Sequence, residues 1–215
     1  MKLYDSYRAP NPRRVRWFMA EKGIDDIEVV NLNVFEGEHR KPDYLAKAGL
    51  PNVPALEMDD GACITESVAI CRYLESVYPE PNMFGRDPKE TAIIEMWTRR
   101  VEMLVSTPLM LTVRHSHPAL AALEATQLPQ VAEYNRAAAE RFMKTLDRHL
   151  AEREFMALDR FTIADIVAVV GLDCARLVRY RPPEGFANLA RWLEACRSRP
   201  AAKAGAEAVA GRPAR

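Results

Sequence analysis

Polar and apolar positions divide the chain into two halves of different rhythm. Lys2–Asp5 reads as a short strand. From Asn11 to Gly23 the spacing turns helical, with Val15, Phe18 and Met19 on one face, Pro12 in the first turn and Gly23 at the stop. Ile27–Leu32 alternates as a second strand, and a polar loop leads to a short helix over Pro42–Ala48. Pro54–Met58 and Ala62–Thr65 flank Asp59-Asp60-Gly61, a hairpin turn. Glu66–Tyr78 is helical again, with Val68, Ile70, Cys71, Leu74 and Val77 inward.

The order is therefore β-α-β-α-β-β-α over residues 1–78, and the proline-rich stretch 79–88 reads as a linker. Residues 89–200 are expected to be all-helical. Amphipathic segments run through Lys89–Val113, Leu128–Glu152 and Phe186–Arg197, and Ile163–Val178 is apolar nearly all round, which predicts a central buried helix. Thr162 and Asp165 have capping-box spacing, and Phe161 and Ile166 have that of a hydrophobic staple. Residues 201–215 show no periodic face and read as a flexible tail.

Composition narrows the function. The 30 Lys and Arg balance 30 Asp and Glu, which gives no reason to expect nucleic acid or an anionic membrane as partner. The first residues turn polar at once, and no apolar run reaches membrane-spanning length. Cys63, Cys71, Cys174 and Cys196 form no CxxC and lie in apolar segments, so they read as buried, reduced thiols of a cytoplasmic protein.

Two local features carry candidate chemistry. Proline cannot donate to a ladder, so Pro54 belongs at the start of its strand. With a cis Val53–Pro54 bond, the N–H and C=O of Val53 would face outward and could pair with an extended peptide. At the next helix start, free N–H groups and the Ser67 hydroxyl suit a carboxylate, and the Glu66 carboxylate suits an ammonium. Together they match the head group of an amino acid. An acid placed there only to favour the helix dipole is the alternative.

The β-α-β-α-β-β-α half, Val-Pro before the third strand, Thr-Glu-Ser-Val-Ala-Ile before the third helix, and Phe-Thr-Ile-Ala-Asp in a helical second half resemble the cytosolic glutathione transferases. The resemblance implies a thioredoxin-like α/β N-terminal domain with a cis-proline at Pro54, followed by an all-α helical-bundle domain. It implies that Val53 pairs with the cysteinyl backbone of glutathione, that Glu66 and Ser67 hold the γ-glutamyl head, and that His39 reaches the glycine end. A surface histidine on a loop is the other reading of His39. A homodimer with Lys89–Val113 at its interface is also implied.

The catalytic position departs from the family. The serine or cysteine of theta-, zeta- and omega-like relatives falls on Ala9, which has no donor for a thiolate. Asn11 matches the asparagine of the Thr-Pro-Asn motif of nu-like bacterial transferases, here Ala9-Pro10-Asn11. Asn11 is thus the candidate sulfur donor, with capping of the first helix as its alternative role. His115 and His117 lie two apart without a carboxylate or cysteine nearby, so no metal is expected. The domain arrangement that the resemblance implies makes them, with Met110 or Arg114, candidates for lining the acceptor pocket. Arg13, Arg14 and Arg16 read as a solvated face. The expected activity is conjugation of glutathione to a small hydrophobic electrophile, as in detoxification. The alternatives are glutathione-dependent reduction of disulfides or peroxides, and glutathione binding without catalysis.

Overall fold

Strands β1 (Lys2–Asp5), β2 (Glu28–Asn31), β3 (Ala55–Glu57) and β4 (Cys63–Thr65) form one mixed sheet in the order β2-β1-β3-β4. They are interleaved with helices α1 (Pro10–Lys22), α2 (Pro42–Ala48) and α3 (Ser67–Val77). These features come from a computed structural model that describes residues 1–206. The chain divides into two compact units, Met1–Asn82 together with the segment from Arg199, and Met83–Ser198. The first is α/β and thioredoxin-like and the second is helical, as expected from the sequence.

In the first unit β1 runs parallel to β2 and antiparallel to β3, and β3 is antiparallel to β4. The crossover between the parallel pair is α1, which buries Val15, Phe18 and Met19 as its spacing predicts. The same face also buries Arg14 and Trp17, so the arginine run is not a solvated face. Arg16 pairs with buried Asp5, and Arg13 lies 5.6 Å from the Trp17 ring. On α3, Ile70, Cys71 and Leu74 are inward, whereas Val77 is 44% exposed because the helix is already ending there. Cys71 and Cys196 are buried as expected, but Cys63 and Cys174, each at the end of its element, are only half-buried. The hairpin between β3 and β4 closes with Met58 N–H donating to Ala62 O at 2.8 Å.

The stretch after α3 is tied down. Lys22 Nζ donates to the carbonyls of Tyr78 at 2.7 Å and Pro81 at 2.8 Å, and pairs with Glu75 at 2.7 Å. Met83 and Phe84 are buried. At the far end, the expected tail is instead helical from Pro200 to Ala206, forming α9. Ala202 is buried, α9 packs on α1, and Arg199 makes a two-bond ion pair with Glu21, each bond 2.7 Å. Residues 207–215, the rest of that expected tail, lie outside the described residues.

The second unit contains α4 (Pro88–Val101), a π-helical turn at Glu102–Ser106, α5 (Thr107–Arg114), α6 (Pro129–His149), α7 (Ile163–Cys174) and α8 (Ala187–Arg197). Every residue of α7 from Ile163 to Leu172 is buried, as its all-round apolarity predicts. The Asp165 carboxylate accepts the Thr162 N–H at 2.9 Å and hydroxyl at 3.1 Å, plus Met156 N–H and Trp192 Nε1–H, both at 2.8 Å. Among the described residues no helix is long and apolar enough to cross a membrane.

Candidate functional site

Sheet register brings the candidate residues to one edge. Tyr4 lies opposite Ala55, and Ala55 opposite Thr65, so the end of β1, the start of β3 and the end of β4 coincide. Asp5 lies opposite Asn31, so β2 ends there too. The segments that leave this edge carry Ala9 and Asn11, His39, Val53 and Pro54, and Glu66 and Ser67.

The Val53–Pro54 peptide bond is cis. Pro54 directly precedes β3, and neither the N–H nor the C=O of Val53 has a hydrogen-bond partner among the described residues. The half-buried Val53 therefore presents an unpaired donor and acceptor in strand-like spacing. The loop is held from behind by the Tyr44 hydroxyl, which donates to Asn52 O.

At the start of α3, Glu66 is the N-cap residue with φ 65° and ψ 117°, a conformation rare outside glycine. Such backbone costs about 1–3 kcal/mol and clusters at ligand sites. Its side chain is exposed and bonds to no helix N–H, so it is not serving as a cap. The first N–H groups of α3 have no side-chain cap. Ser67 is 4% exposed, and its Oγ accepts from Arg14 Nη1 at 3.3 Å. A guanidinium, one hydroxyl and open helix N–H groups thus converge beside one exposed carboxylate.

The loop from β1 into α1 is fixed by several bonds. Tyr7 N–H donates to Asn31 Oδ1 at 2.9 Å, Arg16 Nη2 donates to Tyr7 O at 3.3 Å, and the Arg16 guanidinium lies 5.4 Å from the Tyr7 ring. Burial pushes the Asp5 carboxyl above its usual range, and the adjoining Arg16 cation opposes that shift. The N-cap of α1 is Ala9, so Asn11 is the second helical residue and does not cap. Pro10 and Pro12 bring no N–H, which leaves that of Asn11 in the first three helical positions. Neither this N–H nor the Asn11 side-chain amide has a partner among the described residues. Ser6 is buried, and Tyr7 is held by Arg16.

His39 sits in a 3-10 turn, Glu38–Arg40, that returns to the end of β2 through Asn33 N–H donating to Glu38 Oε2 at 2.7 Å. It is 6% exposed, which overturns the surface-histidine reading, and its Nδ1 is buried with no partner among the described residues. Burial, and then the Arg40 charge, lower its pKa, so the ring is neutral at pH 7 with a nitrogen to offer a ligand.

The residue that sequence reasoning missed is Arg14. Its signal was present, since Arg14, Trp17 and Phe18 stand at the i, i+3, i+4 spacing of a buried stripe. In the helical unit, His115 Nδ1 accepts from Leu128 N–H and His117 Nδ1 from Ala119 N–H, both at 3.2 Å. Among the described residues no three His, Cys, Asp or Glu side chains are grouped to hold a metal ion.

Residues 3–82 match the family model for the glutathione S-transferase N-terminal domain, and residues 99–200 that for the C-terminal domain. The chain is 35% identical over 205 residues to glutathione S-transferase 2 of Saccharomyces cerevisiae, covering 94% of this chain and 88% of that protein. It superposes on a glutathione S-transferase domain-containing protein of Marinobacter aquaeolei with TM-score 0.89 and 39% identity, covering 94% of this chain and 99% of the other. It superposes equally, at TM-score 0.89 and 34% identity, on Gtt2 from Saccharomyces cerevisiae, covering 95% of this chain and 100% of that one.

Proposed function

Because the chain belongs to the cytosolic glutathione S-transferase family, we propose that it joins the thiolate of glutathione to a small hydrophobic electrophile at the sheet edge around Val53. The observation that carries this reading is the unpaired N–H and C=O of Val53, which suit the cysteinyl backbone of glutathione in antiparallel pairing. Bound this way, glutathione lays its γ-glutamyl group toward the start of α3. There the Ser67 hydroxyl and the open N–H groups take its α-carboxylate and Glu66 takes its ammonium. The glycine carboxylate extends toward His39.

Asn11 then activates the sulfur. Lowering a thiol from about 8.5 to about 6.5 requires roughly 2.7 kcal/mol. A hydrogen bond to a charged acceptor supplies about 1.5–3 kcal/mol, and a helix N-terminus about 0.3–1 more. The Asn11 amide and backbone N–H, both unpartnered among the described residues and on one residue, are sufficient without a hydroxyl at Ala9. The thiolate forms the S–C bond as the leaving group departs, and the thiol proton passes to solvent.

Asn11 in place of the usual serine also favours a second reading, in which the thiolate attacks a disulfide sulfur, forms a mixed disulfide with it and releases the other sulfur as a thiolate. We assign the action to the cytoplasm, whose reduced glutathione pool both chemistries require. The working form is a homodimer using the α4–α5 segment, where Met96, Met103 and Leu104 are 39%, 56% and 42% exposed. The test combines calorimetric titration with glutathione and turnover of chloro-dinitrobenzene and of a small glutathione-capped disulfide. Binding with arylation supports conjugation, whereas binding with activity confined to the disulfide selects the second reading. Binding without turnover leaves a non-catalytic glutathione-binding protein, and no heat of binding overturns all three.

A further inference from the structure

We propose that Arg14 is a positioning residue that selects for the γ-glutamyl α-carboxylate, acting through the Ser67 hydroxyl. The inference rests on the glutathione reading and adds a buried determinant behind Ser67. Arg14 is 6% exposed, projects from α1, and donates from Nη1 to Ser67 Oγ at 3.3 Å. A guanidinium has only donors, so Ser67 Oγ must be the acceptor in this contact. The single hydroxyl hydrogen is left to point elsewhere, and it meets no acceptor among the described residues although Ser67 is 4% exposed. A buried hydroxyl hydrogen without an acceptor is costly, and a ligand oxygen at the open end of α3 removes that cost.

The same geometry explains why the acceptor should be a carboxylate. A hydroxyl that accepts from a cation is polarised into a stronger donor. Burial pushes the Cys71 thiol, one turn beyond Ser67, well above its usual range, and the Arg14 charge opposes that shift, so the Arg14 cation is felt along this start of α3. In Arg14→Met the hydroxyl loses the cation that fixes its acceptor role and polarises its O–H toward the carboxylate.

The experiment compares glutathione with 4-aminobutyryl-cysteinyl-glycine, which lacks only the glutamyl α-carboxylate, by calorimetric titration. Wild type, Arg14→Met, Arg14→Lys, Ser67→Ala and the Arg14→Met/Ser67→Ala pair are titrated with each ligand. Arg14→Met is expected to weaken glutathione about tenfold, the size of one charge-assisted hydrogen bond, and the analogue less than about twofold. The double variant should bind glutathione about as weakly as Ser67→Ala alone, since both act on one bond. Arg14→Lys, which keeps a buried cation, serves should the Met variant fail to fold, and it should weaken glutathione severalfold while leaving the analogue unchanged. Equal losses for both ligands, strict additivity with Ser67→Ala, or undiminished glutathione binding would overturn the inference. A wild type that binds glutathione while these variants behave so leaves the transferase reading standing. A wild type that does not bind glutathione removes both.

Discussion

A transferase that lacks a hydroxyl or thiol at the usual position must find its sulfur donor elsewhere, and the first turn of α1 narrows the choice. Ala9 has nothing to give, and prolines at 10 and 12 withdraw two backbone donors that a helix N-terminus would otherwise present. What remains is concentrated on Asn11, whose backbone and side-chain donors are both unpartnered among the described residues. Asn11→Ala removes the amide and leaves the backbone N–H. It should raise the apparent thiol pKa in the pH profile of kcat/KM for chloro-dinitrobenzene by about one to two units, the equivalent of one hydrogen bond to a charged sulfur. An unmoved profile would take Asn11 out of the mechanism. Glutathione affinity below that pKa should change little, because the lost bond belongs to the thiolate. Asn11 was legible as a candidate from its neighbours in sequence, but its lack of a partner was not, because capping depends on which residue starts the helix.

At the scale of elements, sequence reading succeeded where a signal is local and failed where it depends on a distant surface. The run Ile163–Val178 and the Thr162–Asp165 spacing announced α7 and its start. They gave no hint that Asp165 also accepts from Met156 and Trp192, nine and twenty-seven residues away in sequence. Asp165→Asn keeps one acceptor oxygen and turns an NH2 toward groups that are themselves donors. It should destabilise by about 2–4 kcal/mol in urea titration, from one or two buried donors left unmatched. The π turn at Glu102–Ser106 was also invisible, since the apolar spacing of Lys89–Val113 continues through it. Its counterpart is Gly171, where an added Cβ would stand 2.2 Å from Ser106 Oγ and 2.7 Å from Ser106 Cα. The Ser106 hydroxyl is engaged with Val167 O at 2.9 Å and its Cα is backbone, so neither yields. Gly171→Ala should cost about 1–3 kcal/mol despite the better helix propensity of alanine. A neutral or stabilised variant would show that α7 can shift along the turn. Helix α9 was missed for a related reason: its alanines draw no periodic face until α1 is known to cover Ala202.

For the molecule as a whole, 30 positive and 30 negative side chains leave no net charge at neutral pH, so the pH dependence of stability falls to individual pairs. Their signs differ. Glu90 is held down to about 2 by hydrogen bonds from Arg160 and then from the Arg86 N–H. A carboxyl lowered on folding contributes stability that is present above its unfolded pKa near 4.5 and lost as pH falls toward about 2. Asp5 and Asp165 are raised by burial, so their contribution is full below 3.8 and diminishes as pH climbs through their folded values. Acidification therefore removes the Glu90 contribution while it relieves the two buried aspartates. Glu90→Gln isolates the first effect, because it keeps the shape and discards the titration. In urea unfolding monitored by Trp fluorescence, the variant should have a lower midpoint than wild type at pH 7. The gap should close between pH 4.5 and about 2, where the wild-type carboxylate has itself become neutral. The pair is partly exposed, so 0.5 M salt should narrow the gap at pH 7. A gap of constant size down to pH 2 would mean that Glu90 acts by packing, and that acid sensitivity arises at other carboxylates.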